Sequence, residues 1–263
     1  MLGKLLKYDL KWIYKVIIVF YGLSLIFSII GRGLTSIENS LVLNVMGQIS
    51  IGIAISMMVS SLINCLMRSW VRFIRNVYKD ESYLTHTLPV NKKLIYLSKV
   101  LAAIICVFTT AIVILGCLAI CYYSQANIEG LKAMLEIAAS TYNTTVINLI
   151  LMIAIVLFLE VVFIILIGYT GIILGHKSGN NKMIRSIIIT FALYLLTQVI
   201  TLAIIFLVGV FNTNVMNLVN TTDIINIETI KMLMCAGAGI YIVYNIIYYI
   251  IGKVQFEKGV NVD

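Results

Sequence analysis

The chain has little charge, almost no proline and few histidines. Of its 263 residues only 11% are charged and 61% are hydrophobic, with one proline and two histidines. Soluble domains carry about 25% charged residues, so the polar side chains here are too few to cover a water-soluble globule. The same composition excludes a disordered or fibrous chain. The sequence therefore predicts a polytopic membrane protein.

The long apolar runs predict six transmembrane helices. A helix needs about 20 mainly apolar residues to cross the hydrocarbon core, and continuous runs indicate helices rather than the alternating strands of a barrel. We therefore predict an all-α fold with spans at about 16–35, 43–67, 98–123, 146–174, 187–211 and 233–252. The first span could also be a secretory signal peptide, but no small-residue cleavage site follows it.

The basic residues are concentrated in segments that this topology places on one side of the membrane. Of the 19 Lys and Arg residues, 16 fall in the N-terminal segment, in the loops after the second and fourth spans, and in the C-terminal tail. Cytoplasmic loops of membrane proteins carry an excess of Lys and Arg. We therefore expect both termini to be cytoplasmic. The net charge of +8 then reflects topology and not nucleic-acid binding.

The first 15 residues have the pattern of an amphipathic helix. Lys4, Lys7, Lys11 and Lys15 recur at helical spacing, and leucines fill much of the remainder. Such a helix lies in the plane of the interface with its basic face toward anionic lipids. We predict an interfacial helix over residues 1–15, although a positively charged flank of the first span would have the same pattern.

The loop between the second and third spans, residues 68–97, contains the only proline, Pro89. Because proline is tolerated in the first turn of a helix, Pro89 predicts the start of a helix that continues into the third span. Upstream, four basic residues recur at helical spacing on an extension of the second span: Arg68, Arg72, Arg75 and Lys79. The elbow between these helices, residues 81–88, is expected to expose Tyr83, Leu84 and Leu88. It is either a docking surface for another protein or an ordinary solvated turn.

Glu160 is the only acidic residue in the predicted hydrocarbon region. A charge at the bilayer centre costs about 2.5–3.5 kcal/mol on insertion scales, so Glu160 should face the bundle interior, a cavity or a partner. Gln198 and Tyr241 are its expected hydrogen-bond partners. Other polar residues near the same predicted depth are Ser56, Thr109 and Thr110. This layer either lines a substrate path or holds helices together.

Residues suited to catalysis or metal binding are scarce. Both histidines, His86 and His176, lie in predicted cytoplasmic loops, whereas a membrane-embedded protease needs paired acids, a Ser–His pair or a metal cluster. No Walker A pattern, G-x-x-x-x-G-K-[ST], occurs in the chain. All five cysteines fall in or beside spans, where Cys117 and Cys121 are expected to be packing residues, so no disulfide framework is implied. We therefore expect no catalytic residue, cofactor or metal in this chain.

Three segments resemble the permease subunits of bacterial type 2 ABC exporters. They are the basic N-terminal LGKLLKYDLK, the segment DESYLTHTLPVNKKLIYLSKVL between the second and third spans, and the short basic tail IIGKVQFEKGVNVD. The six-span layout is similar to that family as well. The resemblance implies a non-catalytic subunit of the bacterial cytoplasmic membrane, which depends on ATP and Mg²⁺ bound by a separate ATPase.

In that family the loop between the second and third spans forms a coupling helix that contacts the ATPase. The residues that the resemblance assigns to this contact are Asp80, Glu81, Tyr83, Leu84, Thr87, Leu88 and Pro89. It also implies two permeases, identical or homologous, with two ATPase subunits, in contact with membrane lipids. The segment from Asn212 to Lys231 is too short for the extended outer domain of larger exporters, so a large extracellular polymer is not the expected substrate.

The expected function is the transmembrane subunit of an ATP-driven exporter. Because the predicted interior consists mainly of Ile, Leu, Val and Phe, we expect a hydrophobic or amphipathic substrate such as a peptide antibiotic, a bacteriocin or a lipid-like compound. The alternative is an ion-coupled secondary transporter or channel with Glu160 as its ion site. Against this alternative, the sequence has no internal repeat and no pair of broken spans in corresponding positions.

Overall fold

The computed structural model describes residues 1–37, 40–79, 81–87, 89–177, 181–211 and 227–259. Within these residues the protein is an all-α polytopic membrane protein without strands. Six helices are long and apolar enough to cross a membrane, which confirms the predicted fold class. In chain order the helices are α1 Leu2–Thr35, α2 Leu41–Val77, α3 Ser82–Thr87, α4 Lys92–Tyr122, α5 Gln125–Thr141, α6 Val146–His176, α7 Lys182–Phe211 and α8 Ile227–Glu257.

α1 continues without a break through the segment that was predicted to be a separate interfacial helix. Residues 2–35 form one helix of roughly 50 Å, which exceeds the roughly 30 Å thickness of the hydrocarbon core. No break separates residues 1–15 from the first span, and the interfacial position of this segment stays a prediction. Side-chain hydrogen bonds hold α1 along α4: Asp9 with Ser98, Tyr14 with Thr109, and Tyr21 with Thr110.

Two glycines allow α1 and α2 to approach closely. A Cβ at Gly31 would lie 2.6 Å from Cγ1 of Ile51, and a Cβ at Gly47 would lie 2.9 Å from the backbone nitrogen of Thr35. Small residues permit this close packing of transmembrane helices, in which van der Waals contact replaces the hydrophobic effect. The crossing fixes α1 against α2 near the C-terminal end of α1.

The packing role predicted for Cys117 and Cys121 is confirmed. Both thiols are buried, and they form an apolar cluster with Ala54 and Met58 of α2. This cluster joins α2 to α4 near the C-terminal end of α4.

The elbow between α2 and α4 contains a short helix, α3. α2 extends to Val77, in agreement with the helical spacing of its arginines. α4 begins at Lys92, and the side chain of Asn91 accepts a hydrogen bond from the backbone N–H of Lys93. Pro89 therefore precedes the helix and does not lie in its first turn, because Asn91 supplies the cap that satisfies the first free N–H groups.

The described residues form two compact units, Met1–Leu131 and Lys132–Asn261. The helix α5 at their junction in the sequence was not predicted. Its charged residues Glu129, Lys132 and Glu136 interrupt the apolar run by which a span is recognised, so hydropathy gave no signal for it.

In the second unit, α6 packs against both α7 and α8. A Cβ at Gly171 would lie 2.9 Å from Cα of Thr190, and a Cβ at Gly175 would lie 2.5 Å from Cα of Ser186. The backbones of α6 and α7 are therefore too close for any larger residue at these two positions.

We expect Gly175→Leu to destabilise the second unit by about 1–3 kcal/mol, because overpacking forces the two backbones apart. Thermal unfolding in detergent micelles would measure this loss. Gly116→Leu is a matched control, since no atom lies within 4 Å of a Cβ placed at Gly116 of α4. Equal melting temperatures for the two variants would contradict the close α6–α7 contact.

Candidate functional site

The short helix α3 presents apolar side chains to solvent. Tyr83 and Leu84 are 78% and 67% exposed, whereas Ser82 and Thr85 are each 5% exposed. The hydroxyl of Thr85 donates a hydrogen bond to the backbone carbonyl of Glu81 at 2.9 Å. One side of α3 is thus anchored to the first unit, and the other side offers an aromatic and an aliphatic side chain.

Four charged side chains from α1, α2, α4 and the elbow form a buried charge cluster. At its centre, Nε of Arg72 donates to Asp9 at 3.0 Å, and Nη1 donates to the two carboxylate oxygens of Glu81 at 2.7 and 2.9 Å. Nζ of Lys99 donates to Asp9 at 2.5 Å. Asp9, Arg72 and Lys99 are all buried. Two acids and two bases therefore balance each other where the elbow leaves α2.

Two neutral side chains complete the hydrogen bonds of this cluster. The hydroxyl of Ser98 donates to the second carboxylate oxygen of Asp9 at 3.0 Å, and Nδ2 of Asn76 donates to Glu81 at 2.9 Å. Removing one member of a buried ion pair costs about 3–5 kcal/mol, because an uncompensated charge stays buried. The cluster consequently fixes the base of α3 relative to α1 and α4.

Trp12 reinforces the contact between α1 and α2. The guanidinium carbon of Arg68 lies 4.1 Å from the centroid of the Trp12 ring, and that of Arg72 lies 5.5 Å away. Both distances are within the roughly 6 Å range of cation–π attraction. Arg68 also donates hydrogen bonds to the backbone carbonyls of Trp12 and Ile13. These two arginines, expected on a basic stripe, therefore serve to join two helices.

Aromatic residues support the elbow from the interior. The ring of Phe73 lies 6.2 Å from that of Tyr78 and 6.3 Å from that of Tyr96, measured between centroids. All three side chains are buried. Burial raises the pKa of Tyr78 well above its usual value, so its phenol stays neutral. These three rings therefore form an uncharged aromatic cluster beside the charge cluster.

The electrostatic environment favours the ionised form of Glu81. Partial burial opposes ionisation, but the hydrogen bond from Asn76 and the charge of Arg72 outweigh it and lower the pKa of Glu81 below its ordinary value of 4.5. A carboxyl group with a lowered pKa stabilises the folded state at pH values above its unfolded pKa. This contribution is lost as the pH falls through the folded pKa.

We therefore expect the elbow to loosen as the pH falls below 4.5, because protonation of Glu81 weakens its contacts with Arg72. Amide hydrogen-exchange protection factors for residues 82–87 would measure the change, with a decrease toward acid pH in the wild-type chain. Glu81→Gln retains the shape of the side chain without titrating, so its protection should vary less with pH. The same pH profile in both proteins would show that Glu81 does not hold the elbow.

The residues that the resemblance assigned to the ATPase contact fall into two groups, exposed residues and a residue that supports the elbow. The exposed ones are Tyr83, Leu84, Thr87 and Pro89. Glu81 instead turns toward Arg72 in the charge cluster. Asp80 and Leu88 lie outside the described residues. The elbow is therefore present, but one of its predicted contact residues belongs to its support.

Asp9 and Lys99 were not predicted to be members of this site. Asp9 is the only acid among the first 37 residues. It shares a buried helix face with Ile13 and Ile17, which follow it at intervals of four. A lone acid on the apolar face of a basic helix was the available signal for a buried ion pair.

In the second unit, polar side chains of α6 and α8 meet around Glu160. The phenol of Tyr241 lies close to Glu160, and the predicted hydrogen bonds of Glu160 with Tyr241 and Gln198 stay predictions. Nδ2 of Asn245 donates to the backbone carbonyl of Leu159 at 3.1 Å, and Oδ1 of Asn245 is buried without a hydrogen-bond partner among the described residues. These contacts join α6 to α8 beside Glu160.

The remaining members of the predicted polar layer have partners in the first unit. Thr109 and Thr110 bind tyrosine hydroxyls of α1. Ser56 donates to the carbonyl of Gly52 within its own helix at 3.0 Å. Hydrogen bonds within the first unit therefore account for these hydroxyls, and a single layer that includes Glu160 stays a prediction.

No protein-family model, curated protein or solved structure matches the chain. The elbow, the buried charge cluster and the six spans are the observations from which a function can be proposed.

Proposed function

We propose that the chain is the transmembrane permease subunit of an ATP-driven exporter in the bacterial cytoplasmic membrane, with both termini in the cytoplasm. A separate soluble ATPase binds the elbow and supplies the energy. The observation that carries the proposal is the combination of exposed Tyr83 and Leu84 on α3 with a base fixed by buried charges. The resemblance of the elbow sequence to type 2 ABC permeases supports it.

The exposed side chains of α3 suit a protein partner. Tyrosine is among the residues that dominate binding energy at interfaces, and apolar contacts at the centre of an interface are shielded from water by the surrounding contacts. α3 lies between two candidate spans and is itself too short to be one. We therefore do not expect lipid to bury the exposed side chains of α3, whereas a groove in a soluble subunit would bury both Tyr83 and Leu84.

The charge cluster gives the elbow a route to the spans. When ATP closes two ATPase subunits, each subunit moves the α3 that it holds. Arg72 binds both Glu81 at the elbow and Asp9 of α1, and Lys99 of α4 binds the same Asp9. Displacement of α3 is therefore transmitted to three spans together, as rigid-body motion between two permease copies requires.

The ATPase binds ATP and Mg²⁺ and carries out the hydrolysis. This chain binds and moves the substrate. The substrate is hydrophobic or amphipathic, because the spans present apolar side chains over most of their length. A second permease, identical or homologous, completes the path.

Co-purification and reconstitution test the proposal. The tagged full-length chain, expressed with its neighbouring genes and extracted in mild detergent, should retain a soluble ATPase that carries a Walker A motif. Liposomes that contain the complex should move an amphipathic substrate only when ATP is supplied. Transport by the chain alone, driven by an ion gradient and abolished by Glu160→Gln, would overturn the proposal in favour of ion coupling.

A further inference from the structure

An apolar groove lies between α7 and α8 in the second unit. Its volume is about 200 Å³, and its lining includes Ile204 and Val208 of α7 and Leu233, Gly237 and Tyr241 of α8. Nothing lies within 4 Å of a Cβ placed at Gly237, so the space beside this glycine is open. Pockets that enclose a drug-sized molecule measure about 300–1,000 Å³. This groove therefore accommodates one alkyl or aromatic arm of a ligand.

Tyr241 connects the groove to an acidic group. It lines the groove, and its phenol lies close to Glu160 of α6. Among the described residues no Lys or Arg forms an ion pair with Glu160. An acid at membrane depth is costly unless another group balances its charge. A ligand that carries a positive charge would supply the balance that the chain does not.

The surroundings of Glu160 also suit an organic cation. The rings of Tyr241 and Tyr244 lie 5.7 and 5.8 Å from the ring of Phe163, measured between centroids, and aromatic faces attract ammonium groups. Asn245 donates to the carbonyl of Leu159, the neighbour of Glu160, and its Oδ1 is a buried acceptor without a partner among the described residues. Acceptors and aromatic rings therefore lie close to Glu160.

We infer that the second unit binds an amphipathic organic cation, with its apolar arm in the α7–α8 groove and its amine or quaternary ammonium at Glu160. This inference rests on the proposed function and narrows its substrate class from hydrophobic or amphipathic compounds to cationic ones. The charge of Glu160 selects for a cation, and the open space beside Gly237 selects for the apolar arm. Separate substitutions can therefore remove the two contributions to binding.

The test uses the full chain in nanodiscs of zwitterionic lipid, with radiolabelled decyltrimethylammonium as the probe and decanol as its uncharged counterpart. Empty nanodiscs correct for partitioning into lipid. Glu160→Gln should weaken binding of decyltrimethylammonium by about tenfold and leave decanol unchanged. Gly237→Leu, which fills the groove, should weaken both. Gly239→Leu is the matched control, because its Cβ also meets nothing within 4 Å and it does not line the groove.

Wild-type affinity of Glu160→Gln for the cation would overturn the inference, as would equal binding by Gly237→Leu and Gly239→Leu. If Glu160→Gln does not insert, decyl sulfate is tested on the wild-type chain instead. This anion should bind far more weakly than decyltrimethylammonium, and equal binding of the two would overturn the inference. No ATPase is present in this assay. Failure here therefore leaves coupling at the elbow intact, and failure of ATPase co-purification leaves the measured cation site intact.

Discussion

Asp9→Ala is expected to destabilise the first unit by about 3–5 kcal/mol, because it removes one member of a buried ion pair. The change leaves Arg72 and Lys99 buried, at 8% and 4% exposure, with Glu81 as the only acid of the cluster. Both cations then lose their ion pair with α1. Thermal unfolding of the purified chain in detergent micelles would measure the loss as a lower melting temperature.

Two variants make this prediction specific. Lys11→Ala removes an exposed charge from the same helix and should change stability by less than about 0.5 kcal/mol. Adding Lys99→Met to Asp9→Ala should restore part of the loss, because Arg72 and Glu81 then balance each other. If Asp9→Ala were no less stable than Lys11→Ala, the charge cluster would not hold α1 to the elbow.

Simultaneous replacement of Tyr83 and Leu84 by alanine is expected to weaken ATPase binding by at least about 100-fold. Side chains at the centre of an interface each contribute about 2 kcal/mol or more when they are hot spots, and about 1.4 kcal/mol corresponds to a factor of ten. Both side chains are exposed in the isolated chain, so the double variant should fold and insert like the wild type. Titration of purified ATPase onto the chain in nanodiscs would measure the affinity.

Tyr123→Ala is the control for this double variant. Tyr123 is 67% exposed and follows the C-terminus of α4, at the end of that helix farthest from the elbow. Its loss should leave ATPase binding unchanged. Wild-type affinity in the Tyr83→Ala, Leu84→Ala variant would place the contact elsewhere on the chain.

Hydropathy was sufficient to predict the six spans because each span is a run of about 20 or more mainly apolar residues, enough to cross the hydrocarbon core. The helical spacing of the basic residues predicted that α2 continues past Arg68 and Arg72. The elbow followed from the break between these two helical patterns. These features could be predicted because each depends only on residues that are close together in the sequence.

Features that depend on contacts between distant residues were not predicted. The position of α1 along α4 requires Asp9 to meet Lys99, 90 residues later, and nothing in the N-terminal pattern specifies that partner. The start of α4 was misplaced because Pro89 and Asn91 are both acceptable near a helix start, and only the observed cap at Asn91 decides between them. The groove beside Gly237 likewise depends on how α7 and α8 pack.

Photo-crosslinking at position 83 tests the central claim most directly. The full-length chain with Tyr83→benzoylphenylalanine, irradiated in intact cells, should form a covalent adduct with a soluble ATPase that carries a Walker A motif. The same replacement at Tyr123 should form none. Adducts with that ATPase at position 83 and not at position 123 are the result that coupling through the elbow predicts. Failure to form an ATPase adduct at position 83, or equal adducts at both positions, would contradict it.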